Sequence, residues 1–77
     1  MTDTLSELVA ATLGMTPGEV SDTIGRDTAG AWTSLKHLEL VAAAEDAFGV
    51  SLTPREIRTI STVGDLRSLL QARKALP

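Results

Sequence analysis

Ser34 and His37 stand three residues apart in a stretch of helical periodicity, which places a hydroxyl and an imidazole one turn apart on the same side of a helix. That pairing is how a general base activates a hydroxyl nucleophile. The chemistry also needs a third group to orient the imidazole, and the common hydrolase form adds a glycine-rich elbow around the serine. The run Trp32-Thr33-Ser34-Leu35 supplies neither, so a hydrolase is disfavoured, no catalytic residue is assigned, and His37 reads better as the edge of a core stripe. One histidine and no cysteine cannot assemble a structural zinc site, and no metal is expected. A serine at the head of a helix has another use. Its hydroxyl faces solvent, and the helix N-terminus, with its positive dipole end and free N–H groups, favours a negative group bonded there. The same position also suits an ordinary N-cap, and Thr33 could cap instead, leaving Ser34 as the first helical residue with a freer hydroxyl.

The carboxylates Glu39, Glu45, Asp46 and Glu56 are scattered as on a solvated face. Ten acidic against seven basic residues give a net charge of −3, a poor balance for neutralising phosphates, and Trp32 and Phe48 are too few to stack bases, so nucleic acid is not an expected partner. Without cysteine there is no disulfide framework and nothing to require an oxidising compartment. The N-terminus lacks a signal-peptide pattern and no apolar run approaches the ~20 residues of a membrane span. These features predict a cytoplasmic, monomeric, membrane-free protein. Its 77 residues make one domain, 1–77, able to bury only about 60% of the surface its unfolded form exposes.

Helices must position these groups. Leu5, Leu8, Val9, Thr12 and Leu13 recur at helical spacing, Thr4 and Glu7 have the spacing of a capping box, and Gly14 is a natural stop. Residues 15–33 form a long connection rich in glycine, in which Thr16-Pro17-Gly18-Glu19 suggests one helical turn. A second helix is predicted from about Ser34 to Phe48. Its core stripe is His37, Leu40, Val41, Ala44, Ala47 and Phe48, with Lys36, Glu39, Ala43 and Asp46 opposite and Leu35 and Leu38 between the two faces. Gly49 ends it. Thr53-Pro54-Arg55-Glu56 opens a short helix of one or two turns, and Thr62 with Asp65 caps a last one carrying Val63, Leu66, Leu69, Leu70 and Arg73. The fold class is therefore all-α, a small bundle of three main helices plus one short helix, with a long loop between the first and second helices. Trp32 is expected to pack in the core under that loop or else to flank Ser34.

The run Trp32-Thr33-Ser34-Leu35-Lys36-His37-Leu38-Glu39-Leu40-Val41, followed by Glu45-Asp46-Ala47-Phe48-Gly49-Val50, resembles the acyl carrier protein family around its attachment serine. Thr62-Val63-Gly64-Asp65-Leu66 is similar to that family's start of the last helix, and Leu13-Gly14-Met15-Thr16-Pro17-Gly18-Glu19-Val20 to its exit from the first. The resemblance covers nearly the whole domain in order and spacing. It departs at Thr33, where the family usually has an aspartate, and at Lys36 and His37, where its surface is usually more acidic.

The resemblance implies a non-enzymatic carrier: a 4'-phosphopantetheine arm from coenzyme A, bonded to Ser34, holds acyl, polyketide or aminoacyl intermediates as thioesters and presents them to enzymes in turn. Tethering would raise the effective concentration at each docked active site. Implied partners are a phosphopantetheinyl transferase, an acyl- or aminoacyl-loading enzyme, and enzymes of ketosynthase or acyltransferase type. Docking is expected through Leu35, Leu38, Glu39, Asp46 and Glu56. Thr33 cannot offer the transferase's metal a carboxylate, which implies slower loading or a specialised transferase. The run Trp-x-Ser-Leu-x-His-Leu is similar to that of free-standing carriers of specialised, antibiotic-type metabolism, and the lack of a linker after Pro77 is in keeping with them. The residues do not decide between a fatty acid, polyketide and nonribosomal peptide pathway, while the resemblance leans to specialised metabolism and implies a dedicated partner set rather than the general fatty acid machinery. The competing expectation is an unmodified helical interaction domain on the same fold that has lost the arm, with Thr33 as its trace.

Overall fold

The computed structural model describes residues 4–28 and 30–75. Four α-helices follow in order: α1, Thr4–Leu13; α2, Ser34–Phe48; α3, Pro54–Thr59; and α4, Val63–Ala72, with a single 3-10 turn at Pro17–Glu19 in the long connection. This is the expected all-α bundle of three main helices and one short one. No helix among the described residues is long and apolar enough to cross a membrane.

Local chemistry sets the boundaries. Gly14 takes a left-handed φ of 72°, and the N–H of Met15 turns back to the carbonyl of Ala10 at 2.9 Å, closing α1. Gly49, at φ 66°, closes α2 in the same way. Thr53 and Thr62 cap α3 and α4, each accepting from the N–H three residues on, while Glu56 and Asp65 reach back to the capping residues' own N–H groups. At α1 the expected capping residue, Thr4, is already helical, and the residue before it lies outside the described residues.

The apolar stripes meet in one core of Leu5, Val9, Leu13, Trp32, Leu40, Val41, Ala44, Leu52, Ile60, Val63, Leu66 and Leu70. Two expected members of the α2 stripe differ. Ala47 is exposed and Phe48 only partly buried. Ala47 lies ~80° around the helix from His37, at the stripe's edge, and falls in the last turn before the chain reverses at Gly49. Of the alanines on α2, Ala44 alone is buried in the core.

The long connection is pinned. Ile24 accepts from the N–H of Val63 at 2.9 Å, Asp22 from that of Gly64 at 3.0 Å, and Ser61 from that of Arg26 at 2.9 Å, with Gly25 and Thr62 forming an antiparallel bridge. A Cβ on Gly25 would sit 2.4 Å from the Ser61 carbonyl oxygen, so only glycine admits this approach. The Asp22 carboxylate adds an ion pair to Arg67 at 2.9 Å. The connection is thereby held against the turn between α3 and α4, with its far end arriving at Ser34.

Candidate functional site

The cap of α2 decides what Ser34 is free to do. Thr33 is the N-cap, extended at φ −79°, with its hydroxyl accepting from the N–H of Lys36 at 3.2 Å and its carbonyl from that of His37 at 2.8 Å. Ser34 is the first helical residue, exposed, and its hydroxyl is not needed to cap the helix. The N–H groups of Ser34 and Leu35, being in the first turn, have no carbonyl within the helix to donate to. They, together with the positive end of a 15-residue helix, favour an anion bonded to the Ser34 oxygen.

A chain of hydrogen bonds fixes the approach to Ser34. Trp32, 3% exposed, donates its indole N–H to His37 Nδ1 at 3.0 Å, and His37 Nε2 lies 2.8 Å from the carbonyl oxygen of Ile57. An indole N–H can only donate, so His37 Nδ1 must accept; the proton then sits on Nε2, which donates to Ile57. The two rings stack with centroids 6.0 Å apart. His37, 5% exposed, thus has both ring nitrogens engaged in tying the loop before Ser34 to α2 and to the last turn of α3. It is not free to serve as a base for Ser34. No group of three or more metal-ligating side chains forms among the described residues.

Beside Ser34 lies a cavity of about 370 Å³ lined by Arg26, Asp27, Trp32, Thr33, Ser34 and Ser61. Trp32 packs in the core, as expected, and also lines the cavity beside Ser34. Arg26, Asp27 and Ser61 were not foreseen from the sequence. Their one signal was Gly25, whose role becomes visible only when a distant backbone is packed against it.

The expected docking residues separate. Leu35 and Leu38 are 65% and 60% exposed, the large apolar side chains most open to solvent among the described residues, and they follow Ser34 on α2. Glu39 is exposed and pairs with Lys36 at 3.0 Å, and Asp46 is exposed further along the helix. Glu56 is engaged inside the fold: its carboxylate takes the Arg73 guanidinium in a two-pronged pair, with Arg73 Nη1 to Oε2 at 2.6 Å, and also accepts from the N–H of Thr53 at 2.9 Å. The Arg73 contact, followed by the Thr53 N–H, holds the Glu56 carboxyl down at about 2. Glu45 likewise turns inward, accepting from the N–H of Leu52 at 2.8 Å and bracing the turn after Gly49.

A family model described as phosphopantetheine attachment site matches residues 3–70. The chain belongs to that family. Its members are non-catalytic carriers that bear a covalently attached 4'-phosphopantetheine, and they work with phosphopantetheinyl transferases and biosynthetic enzymes. No curated protein matches the chain. The residues around Ser34 fit such a group: an exposed hydroxyl for the bond, a helix N-terminus for the phosphodiester charge, and an adjoining cavity that falls within the roughly 300–1,000 Å³ of small-molecule sites.

Proposed function

We propose that Ser34 is the residue that carries the arm. The observation behind this reading is that Ser34 is exposed at the first position of α2 while Thr33 does the capping, so the hydroxyl can be modified without unmaking the helix start. Loading forms a bond from Ser34 Oγ to the phosphorus bearing the pantetheine of coenzyme A and breaks the pyrophosphate link. The adenosine bisphosphate half leaves and the hydroxyl proton passes to the transferase. Once bound, the arm supplies a thiol for thioesters. The chain's own residues hold the attachment point and present a surface to partners.

That surface, on our reading, centres on Leu35 and Leu38, with Glu39 and Asp46 as a charged rim that tunes encounter and selectivity. Exposed leucines beside an attachment point are the residues a partner gains most by covering. Glu56 falls outside it, because its carboxylate is already spent on Arg73 and the α3 cap. We further propose that residues 1–77 form one carrier domain for acyl intermediates in specialised metabolism of the polyketide or antibiotic type, with dedicated partners. The basis is the Trp32, Ser34, Leu35, His37, Leu38 pattern and the presence of Lys36 where a more acidic surface is usual; His37, expected to share in that surface, is buried and does not.

Trypsin tests the assignment. After loading from coenzyme A, the peptide running from Asp27 to Lys36 holds three hydroxyls, those of Thr28, Thr33 and Ser34. Fragmentation should place the added mass on Ser34. Placement on either threonine, or on another peptide, would refute it. A panel of acyl- and aminoacyl-loading enzymes then separates the pathways by which thioester accumulates.

A further inference from the structure

The cavity beside Ser34 is lined mainly by polar groups rather than by hydrocarbon. Five of its six lining residues are polar or charged, Trp32 being the exception. Such a lining is unsuited to an alkyl chain, and the residues come from three separated parts of the chain: the turn at residues 25–28, the start of α2, and Ser61 between α3 and α4.

The turn is built rather than loose. The N–H of Thr28 returns to the Gly25 carbonyl at 3.2 Å, the Thr28 hydroxyl accepts from the Gly25 N–H at 3.0 Å, and Arg26 is anchored by its own N–H to Ser61. Arg26 and Asp27 occupy the two corner positions, with exposed side chains. Among the described residues no carboxylate pairs with the Arg26 guanidinium, so one cation and one anion are carried on an anchored backbone at a cavity that Ser34 also lines.

We infer that this cavity is a berth for the arm itself, with Arg26 as the counter-charge of the phosphodiester and Asp27 as acceptor for donor groups further along. The inference rests on Ser34 being the attachment residue. The chemistry of the two ends matches. A phosphodiester keeps one negative charge, which the N-terminus of α2 and a guanidinium both favour, and the planar fork of arginine suits its oxygens. Beyond the phosphodiester come a hydroxyl and two amides, whose donors suit the carboxylate of Asp27 and the hydroxyls of Thr33 and Ser61. The Asp27 charge repels the phosphodiester and so sets polarity: the anion belongs at the Arg26 side.

The test uses isotopically labelled protein before and after loading from coenzyme A, with intact mass establishing the extent of loading and the tryptic peptide that contains Ser34 its position, 27–36 in the wild type and 1–36 in Arg26→Gln, which removes a cleavage site. Loaded protein should show backbone amide shifts at residues 25–28 and 61 as well as at the first turn of α2, and through-space contacts from the arm's geminal methyls to that turn. Arg26→Gln, whose backbone anchor to Ser61 does not depend on the side chain, should load yet lose the shifts at residues 25–28 and 61. Arg58→Gln, an exposed change on α3, should keep them. Raising salt should weaken the wild-type shifts in the same direction. If loading occurs on Ser34 and the changes stay within residues 33–36, with no contacts from the methyls, the berth is overturned and the carrier reading stands. If no mass is gained, or it lies elsewhere, both are overturned.

Discussion

Replacing Trp32 by phenylalanine is the sharpest way to ask whether the Trp32–His37–Ile57 chain holds the loop before Ser34 in place. The substitution keeps a large aromatic in the core but deletes the indole N–H, leaving His37 Nδ1, on a side chain 5% exposed, without its donor. A buried acceptor stranded in this way costs about 1–3 kcal/mol. For a domain of this size each kcal/mol lowers Tm by roughly 4–8 °C, so a fall of between about 4 and 24 °C is expected, read by circular dichroism. The reasoning further requires that the cost belong to the pair. In a double-mutant cycle with His37→Leu, the two changes should fall short of additivity by about 0.5–1.5 kcal/mol, the net worth of one hydrogen bond. Additivity within about 0.3 kcal/mol would show that the two residues do not act on one another and would refute the account of this chain.

Gly25→Ala puts a methyl group against a backbone oxygen that cannot rotate aside, and should destabilise by about 1–3 kcal/mol in urea titration and speed amide exchange at Arg26; unchanged stability would mean that the bridge to Thr62 is not held closely. Because Arg73 holds the Glu56 carboxyl down at about 2 from an ordinary 4.5, the folded state favours the ionised form. The stability this contributes is complete above about pH 4.5 and is lost as pH falls towards 2. Thermal melts across that window should show a shallower acid loss in Arg73→Gln, and equal slopes would refute the role of the pair. Leu35→Ala and Leu38→Ala should leave stability within about 0.5 kcal/mol while lowering kcat/KM for transfer to or from partner enzymes at least about fivefold; the reverse outcome would make them structural residues.

Much of this was legible in the sequence because it is encoded locally. The helices follow from apolar residues at i, i+3 and i+4. Their ends follow from Thr53, Thr62, Gly14 and Gly49, whose bonds reach only three to five residues. Leu35 and Leu38 fall between the two faces on the wheel of α2, an angle that leaves their burial open, and it is the packing that exposes both. What lay beyond the sequence depends on closure. Ala47 has the composition of a core residue, and only the packing of the last turn of α2 exposes it. Glu56 has the spacing of a cap, which it serves, but its pairing with Arg73 needs α3 and α4 side by side. Arg26, Asp27 and Ser61 meet beside Ser34 because the long connection folds back onto the turn before α4, and no local periodicity carries that information. The choice between Thr33 and Ser34 as cap was open by residue type, since both can do it. The geometry gives the cap to Thr33 and leaves Ser34 the freer hydroxyl.

The central claim is that this chain works as a carrier through Ser34. Intact mass after incubation with coenzyme A, magnesium and a broad-specificity phosphopantetheinyl transferase tests it most directly, with Ser34→Ala beside the wild type. Because Thr33 does the capping, the alanine variant should fold normally, which its circular dichroism will show. The account predicts a gain of one arm in the wild type and none in the variant. A folded wild type that gains no mass with several transferases, or a variant that gains the same mass, would contradict it.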